Sequence, residues 1–173
     1  MTRYQIAVDA MGGDHAPSSV VDGVKLALAE MNDIEIRLCG PASALDACRD
    51  DRVHPVEANE VITMEEAPML AVRKKTDSSL VKAMLEVREG RAQAVVSAGS
   101  TGAVLAGGMF RIGRIKGIDR PALATVLPGQ KGPVMFLDVG ANVDCQPKYL
   151  AAFGLMGSAY MKGVLGIENP RVG

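Results

Sequence analysis

Apolar residues in this chain occur in short runs separated by turn residues. Four runs have the length and composition of buried strands, and each is followed at once by a glycine-rich or hydroxyl-rich segment. These runs are Tyr4–Val8, Ile34–Leu38, Ala94–Val96 and Val134–Leu137. Stretches with helical spacing of apolar residues lie between them. Alternating strands and helices predict an α/β fold with a mostly parallel sheet that helices cover on both faces.

The same pattern predicts the remaining elements. Further strands are expected at Val53–Glu57 and Ala122–Leu127, and the last of the four runs is expected to continue to Val139. Helices are expected at Pro17–Met31, Ala42–Arg49, Leu80–Glu89, Thr101–Ile115 and Pro147–Leu165. Ser18 or Ser19 is expected to cap the first helix, and Asp77–Ser79 the third, which Gly90 stops. The pattern of residues Val61–Lys75 does not indicate one particular secondary-structure element.

The four segments that follow the strand-like runs carry the candidate chemistry. They are Asp9–Pro17, Cys39–Pro41, Ser97–Gly102 and Asp138–Pro147. Segments that leave the carboxyl ends of parallel strands share one edge of the sheet, where ligands bind. Each of these segments also opens a helix, and helix N-termini favour anions. The sequence therefore predicts an anion-binding protein, and specifically a phosphate-binding one.

Composition excludes several classes of function. The net charge of −1 gives no electrostatic footprint for nucleic acid, and three Tyr, three Phe and no Trp make base stacking unfavourable. The three cysteines are an odd number without a C-x-x-C pair, which argues against zinc and against a disulfide framework. We therefore predict no metal site and a reducing, cytoplasmic location.

The length of 173 residues is sufficient for one hydrophobic core, and we expect a single α/β domain over residues 1–173. The uncharged stretch Ala92–Phe110 contains a turn signal, so a buried strand, loop and helix explain it better than a transmembrane span does. The end, Glu168–Gly173, has the pattern of an entry to another strand. We expect the chain to be the N-terminal part of a longer protein.

Two of the segments supply most of the candidate ligand-binding residues. In the first, Gly12 and Gly13 precede Asp14 and His15, and His15 is a candidate for phosphate contact or proton transfer. The alternative for this segment is a tight turn that needs two glycines. The second offers hydroxyls and glycines at a helix start, and its alternative is a helix cap alone. Its candidates are Ser97, Gly99, Ser100, Thr101 and Gly102. No dinucleotide fingerprint or Walker A sequence is present.

Other candidates are spread along the chain. Lys75, Ser78 and Ser79 follow a basic run and are candidate anion ligands, although such runs also form solvated turns. Asn142 and Asp144 are candidate polar site residues in the segment after the last strand. Cys145 is a possible thiol nucleophile there, but no histidine lies near it in the sequence, so we expect a packing role.

Five motifs, in family order, resemble those of the bacterial phosphate acyltransferases of phospholipid synthesis, the PlsX family. They are Asp9–Pro17, Arg73–Ser79, Ser97–Gly102, Gly117–Leu123 and Leu137–Cys145. The resemblance implies a three-layer α/β/α fold like that of isopropylmalate dehydrogenases and phosphate acetyltransferases. Members are about twice this long, which agrees with the expected truncation.

The resemblance also implies a reaction and its partners. A fatty acyl group would move from acyl-(acyl-carrier-protein) to inorganic phosphate, directly and without a cofactor. The residues themselves make His15 and Asn142 the candidate catalytic residues for this reaction. His15 would take or relay a phosphate proton or donate a hydrogen bond, and the Asn142 amide or nearby backbone N–H groups would stabilise the oxyanion. A homodimer and peripheral association with the inner face of the cell membrane are implied as well. The alternatives are a dehydrogenase on a related fold and a non-catalytic fragment that binds phosphate or carrier protein, or organises a membrane.

Overall fold

The computed structural model describes residues 3–173 and contains two compact units, one ending at Gly113 and one comprising Arg114–Gly173. The predicted single domain over residues 1–173 stays a prediction. The predicted α/β class with a mostly parallel sheet is confirmed, since the larger sheet is parallel throughout and is flanked by helices.

The first unit is built on a four-stranded sheet with the order β3-β2-β1-β4. Its strands are β1 (Tyr4–Asp9), β2 (Ile34–Gly40), β3 (Val53–Glu57) and β4 (Ala94–Val96). β1 pairs with β2 over its whole length and with β4 over three residues, from Ile6–Ala94 to Val8–Val96. The order leaves β3 and β4 as the two edges of the sheet.

Five helices accompany this sheet: α1 (Ser18–Glu30), α2 (Ala42–Asp46), α3 (Pro68–Lys74), α4 (Ser79–Arg88) and α5 (Thr101–Gly107). Successive side chains along each strand point to opposite faces of the sheet. One face forms a core cluster with α1, which includes Val8, Ile36 and Leu38 from the strands and Val21, Val24 and Leu28 from the helix. The other face presents the small side chains of Ala7 and Cys39 to Ala83 of α4.

Several local predictions are corrected by the structure. β4 is not buried: Ala94 and Val96 are exposed, because β4 lies at an edge of the sheet. The hydroxyls of Ser18 and Ser19 do not cap α1 but donate backwards to the carbonyl of His15, each at 3.0 Å. The helix predicted for Thr101–Ile115 ends as α5 at Gly107 and continues as a π-helical turn, Gly108–Ile112.

The second unit is an antiparallel hairpin followed by a long helix. β5 (Ala124–Gly129) pairs with β6 (Gly132–Leu137), and α6 spans Pro147–Leu165 as predicted. β6 is therefore not a strand of the parallel sheet, and the expectation that the segment after it shares an edge with the other three segments is wrong. Over residues 3–173, no helix combines the length and the apolar character needed to cross a membrane.

An ion-pair network crosses β1, β2 and β3 at Glu35. Nε2 of His54 lies 2.8 Å from Oε2 of Glu35, Nη1 of Arg3 donates to Oε1 at 3.1 Å, and Gln5 also donates to the carboxylate. These hydrogen bonds, that of His54 first, lower the pKa of Glu35 from 4.5 to about 2. A carboxyl whose pKa is depressed by folding stabilises the protein above its unfolded-state pKa.

We therefore expect the stabilisation from Glu35 to be complete above pH 4.5 and to be lost as the pH falls toward 2. The measurement is the free energy of unfolding in urea from pH 6 to about pH 3 for the chain and for Glu35→Gln. The difference between the two proteins should decrease as the solution becomes more acidic. A difference that does not change with pH would contradict this role.

Candidate functional site

The carboxylate of Asp9 joins two of the predicted segments. Asp9 is the last residue of β1 and is only 3% exposed. Its Oδ2 accepts a hydrogen bond from Oγ of Ser97 at 2.7 Å, and its Oδ1 accepts one from the backbone N–H of Met11 at 3.2 Å. Ser97 comes directly after β4, so this contact holds together the carboxyl ends of two neighbouring parallel strands. Asp9 is not among the candidates that the sequence predicted, although an aspartate at the end of an apolar strand was a usable signal.

Close approach of the backbone explains the glycine at position 12. A Cβ there would lie 2.7 Å from Oδ2 of Asp9, 2.7 Å from Oγ of Ser97 and 2.8 Å from the nitrogen of Gly99. These distances are too short for any side chain. Gly13 has a φ of +106°, which L side chains rarely adopt, and a Cβ there would lie 3.3 Å from Cβ of Ala98. The structure thus brings Gly12, Gly13, Ser97 and Gly99 together, and their predicted binding role stays a prediction. We call the paired segments, residues 9–17 and 97–102, the two-loop site.

The start of α5 presents hydrogen-bond donors at this site. Ser100 is the N-cap residue, and its hydroxyl accepts from the N–H of Ala103 at 3.4 Å. Thr101 and Gly102 are the first helical residues, whose N–H groups find no acceptor within a helix. Thr101 is exposed, whereas a Cβ on Gly102 would lie 2.8 Å from Cγ of Pro68, so Gly102 serves close packing with α3. The hydroxyl and N–H of Thr101 are the donors best suited to an anion.

Asp14 and His15 lie in the other loop of the two-loop site. Both side chains are exposed and directly follow Gly13, which contacts the opposite loop. The carbonyl of His15 is held by the two serine hydroxyls of α1, which fixes the backbone from which the imidazole projects. The roles predicted for Asp14 and His15 stay predictions.

Lys75, Ser78 and Ser79, the candidate anion ligands at the basic run, contact neighbouring residues of the first unit. Nζ of Lys75 donates to the carbonyl of Val61 at 2.6 Å and to Oε2 of Glu66 at 2.7 Å, and this lysine lowers the pKa of Glu66. Ser78 is fully buried as the N-cap of α4, where its hydroxyl donates to the carbonyl of Lys75. Ser79 is buried beside it. In this structure Lys75, Ser78 and Ser79 thus organise the start of α4, and their predicted ligand role stays a prediction.

In the second unit, Asp138 organises the segment that carries Asn142, Asp144 and Cys145. Its carboxylate accepts from the N–H of Leu123 at 2.8 Å and from the N–H of Asn142 at 2.7 Å. Burial raises the pKa of Asp138, but these backbone hydrogen bonds and the amide of Asn142 outweigh it, so the pKa is lowered overall.

The amide nitrogen of Asn142 has acceptors inside this unit. It donates to the carbonyl of Pro121 at 3.0 Å and to Oδ2 of Asp138 at 3.2 Å. Both amide hydrogens thus have partners, which gives Asn142 a loop-forming function in this structure. Its catalytic role stays a prediction, as does a binding role for the exposed Asp144. Sγ of Cys145 lies 3.6 Å from the carbonyl of Asn142.

In the described part of the chain, the groups available to bind a ligand at the two-loop site are polar hydrogen-bond donors. Among residues 3–173, no group of three or more His, Cys, Asp or Glu side chains is arranged to hold a metal ion. The two-loop site instead combines two closely packed loops with a helix start and the exposed side chain of His15. Such an arrangement suits a small oxyanion, which accepts hydrogen bonds from backbone N–H groups and hydroxyls.

Comparison with known proteins gives consistent matches. Residues 4–173 match the family described as "Fatty acid synthesis protein". A "Phosphate acyltransferase" of Clostridium perfringens (strain SM101 / Type A) is 51% identical over 175 residues, which cover 98% of this chain and 52% of the relative. Proteins with the same description from Desulforudis audaxviator and Bacillus pumilus are 50% and 51% identical over 98% of this chain, which covers 51% and 52% of their lengths. The chain spans about half the length of these curated relatives.

Proposed function

Because this chain belongs to the family of fatty acid synthesis proteins, we propose that it contributes the phosphate-binding part of a phosphate acyltransferase. The complete enzyme would move a fatty acyl group from acyl-(acyl-carrier-protein) to inorganic phosphate. Its products would be acyl phosphate, which supplies phospholipid synthesis, and free carrier protein.

The contact between Asp9 and Ser97 is the observation that carries this proposal. It fixes two loops so that the start of α5 and the segment with His15 leave the same corner of the sheet. Phosphate reacts well only when it is held in line with the acyl carbonyl, and positioning of this kind lowers a barrier by roughly 7–11 kcal/mol. Thr101 and the adjacent N–H groups would hold the phosphate, while Asp9 acts as a positioning residue through Ser97.

The proposed chemistry is a direct displacement. A phosphate oxygen forms a bond to the thioester carbonyl carbon, and the tetrahedral intermediate collapses with cleavage of the carbon–sulfur bond. The thiolate of the carrier protein leaves with the bonding electron pair. His15 would donate a hydrogen bond to phosphate or accept its proton. Cys145 takes no part, so acyl groups should not accumulate on its sulfur.

A chimera tests the activity. In it, this chain replaces the matching half of the Clostridium perfringens relative, to which it is 51% identical. The chimera should convert acyl-(acyl-carrier-protein) and phosphate into acyl phosphate, detected as the hydroxamate, and release one carrier thiol for each acyl phosphate. The unmodified relative is the positive control. A folded chimera that releases thiol only by hydrolysis would contradict the proposal, and acylated Cys145 in its mass spectrum would contradict direct displacement.

Changing both Ser100 and Thr101 to alanine tests the phosphate ligands. The double variant removes the cap of α5 and the exposed hydroxyl, so kcat/KM for phosphate in the chimera should decrease by ~10-fold or more. Ser158→Ala in α6, which also removes a serine hydroxyl, serves as the matched control and should leave phosphate kinetics unchanged. Equal values of kcat/KM for the double variant and its parent would reject this assignment.

The partners of the complete enzyme form part of the same proposal. Acyl carrier protein would deliver the acyl group, a homodimer would be the assembled state, and peripheral contact with the membrane would pass on the acyl phosphate. The family match supports the carrier protein, the homodimer and the membrane contact indirectly, because each of them would serve the proposed activity. Light scattering of the chain at micromolar concentration tests association directly.

A further inference from the structure

The basic run Arg73–Lys75, at the end of α3, has two kinds of surroundings. The ammonium group of Lys75 pairs with Glu66 at 2.7 Å and supports the loop before α3. Arg73 and Lys74 are exposed, and within residues 3–173 neither forms an ion pair with a carboxylate. The proposed function gives these two cations no role, so they are available to a partner.

Two arginines from other elements extend this basic surface. Arg111, in the π-helical turn after α5, donates from Nη2 to the carbonyls of Val72 at 2.6 Å and of Arg73 at 3.2 Å. Arg88 of α4 donates in turn to the carbonyl of Arg111 at 3.2 Å. No carboxylate in the described part of the chain pairs with either arginine. Cations without an acidic partner are thus connected around the end of α3, although the net charge of the chain is −1.

The guanidinium groups of Arg73 and Arg111 are held in place by the fold. That of Arg73 lies 4.5 Å from the ring centroid of Phe110, which packs against the core cluster of α3, α4 and α5. That of Arg111 is fixed by carbonyls in the last turn of α3, which find no donor within the helix. Planar guanidinium groups with a fixed orientation suit individual carboxylates, which they bind through two parallel hydrogen bonds. A folded acidic partner therefore fits this surface better than a fluid layer of lipid headgroups does.

α3 connects these cations with the two-loop site. Its first residue, Pro68, lies against Gly102 at the start of α5, and its last turn lies beside Phe110 and Arg111, which follow α5. Arg73 comes five positions after Pro68, which is a rise of about 8 Å along a helix. A partner bound at the end of α3 would therefore be close to the proposed phosphate donors.

The outer face of α3 is apolar between the site and the cations. Met69 and Leu70 are 54% and 52% exposed. Met69 precedes Arg73 by four positions, and Leu70 precedes Lys74 by four, so each apolar side chain shares a helix face with a cation. Such an order matches a substrate that has an anionic carrier at one end and an acyl group at the other.

We propose that this surface is where the acyl carrier protein docks. Carboxylates of the carrier pair with the cations at the end of α3, and the acyl thioester reaches the two-loop site across the apolar side chains. The inference rests on the proposed function for the identity of the partner. We call the surface the α3 patch, and it consists of Met69, Leu70, Arg73, Lys74, Arg88 and Arg111.

Charge reversal tests the docking without relying on activity. The double variant Arg73→Glu/Lys74→Glu of the chimera should bind a palmitoyl-loaded acyl carrier protein with a Kd at least ~10-fold above the parental value in isothermal titration. Lys25→Glu/Arg49→Glu is the matched control, because both residues are exposed and the net charge changes equally. Circular dichroism checks that both double variants fold. Equal Kd values for Arg73→Glu/Lys74→Glu and its parent, or a parent that does not bind the carrier, would overturn the proposal.

Turnover separates docking from the reaction. With the acyl carrier protein as substrate, Arg73→Glu/Lys74→Glu should raise KM by ~10-fold or more. With acyl-pantetheine, a thioester that lacks the carrier protein, kcat/KM should equal the parental value. An equal loss with both substrates would assign the cations to the reaction itself and contradict docking. A chimera that binds the carrier through the α3 patch but turns over neither substrate would reject the proposed function and still support the docking surface.

Salt and lipid vesicles test the chemistry of the partner. Salt screens exposed charges, so binding of the carrier to the parent should weaken as the salt concentration rises from about 0.05 M to about 0.5 M, and the binding that Arg73→Glu/Lys74→Glu retains should depend on salt much less. Vesicles of phosphatidylglycerol test a membrane as the alternative occupant. Sedimentation of the parent with these vesicles that is lost in the double variant, together with unchanged binding of the carrier, would overturn the proposal in favour of the membrane.

Discussion

Replacing Gly12 with alanine is expected to separate the two loops of the site and to remove phosphate binding. The added methyl group would lie 2.7–2.8 Å from atoms of Asp9, Ser97 and Gly99, two of which belong to the hydrogen bond that joins the loops. Neither loop can move away from the added methyl group without breaking the hydrogen bond between Ser97 and Asp9. Overpacking of this kind costs about 1–3 kcal/mol, and for a domain of this size about 1 kcal/mol shifts the midpoint of thermal unfolding by several degrees.

The experiment compares Gly12→Ala with Gly23→Ala. Gly23 lies in α1, and a Cβ there meets no atom within 4 Å, so alanine should leave stability unchanged or raise it slightly. The unfolding temperature of the chain and phosphate binding in ³¹P NMR are the two measurements, and kcat/KM of the chimera is the third. We expect kcat/KM to decrease by ~10²-fold or more for Gly12→Ala, the size of effect expected when reacting groups lose their alignment. A Gly12→Ala protein with parental stability and phosphate binding would show that the crossing of the loops is not required.

Replacing His15 with alanine is expected to lower kcat/KM of the chimera by ~10²-fold, the lower end of the effect of one proton-transfer group. The imidazole is exposed on a backbone held by the serine hydroxyls of α1, so its removal should not change the unfolding temperature. A loss of activity without a loss of stability would identify a role in the reaction.

Glutamine at position 15 separates the two possible roles. It keeps a hydrogen-bond donor but cannot take up a proton near neutral pH. His15→Gln should therefore be milder than His15→Ala if the side chain contacts phosphate, and equally severe if it transfers a proton. His54→Ala is the matched control, since His54 pairs with Glu35 and should affect stability rather than turnover. If both variants at position 15 turn over at the parental rate, the segment is only a turn.

Local signals were strong enough to predict much of the first unit. The apolar runs predicted the parallel strands, and the helix expected from about Pro147 to Leu165 is present with those bounds. The serines before Leu80 indicated a helix start, and Ser78 does cap α4. Such features depend on side chains only a few residues apart, so the sequence pattern contains them. The candidate loops were found for the same reason, because glycine and hydroxyl residues directly follow strands.

The partners of individual side chains could not be read from the pattern. A basic run predicts an anion site, but Lys75 is held by Glu66 and the carbonyl of Val61, contacts that depend on how residues 61–75 fold back. Likewise, β5 and β6 have apolar runs like those of the parallel strands, yet they pair with each other in an antiparallel hairpin. Pairing is decided by backbone partners, which alternation alone does not specify.

The sequence by itself determined the α/β class, the parallel strands of the first unit and the segments that carry candidate chemistry, because hydrophobic periodicity and turn residues act locally. Only the tertiary structure decided which of those segments meet. Asp9 and Ser97 are 88 positions apart, and their hydrogen bond exists because β1 and β4 are neighbours in the sheet. The exposed edge of β4 also emerged only from the strand order, since a short aliphatic run reads as buried until its neighbours are known.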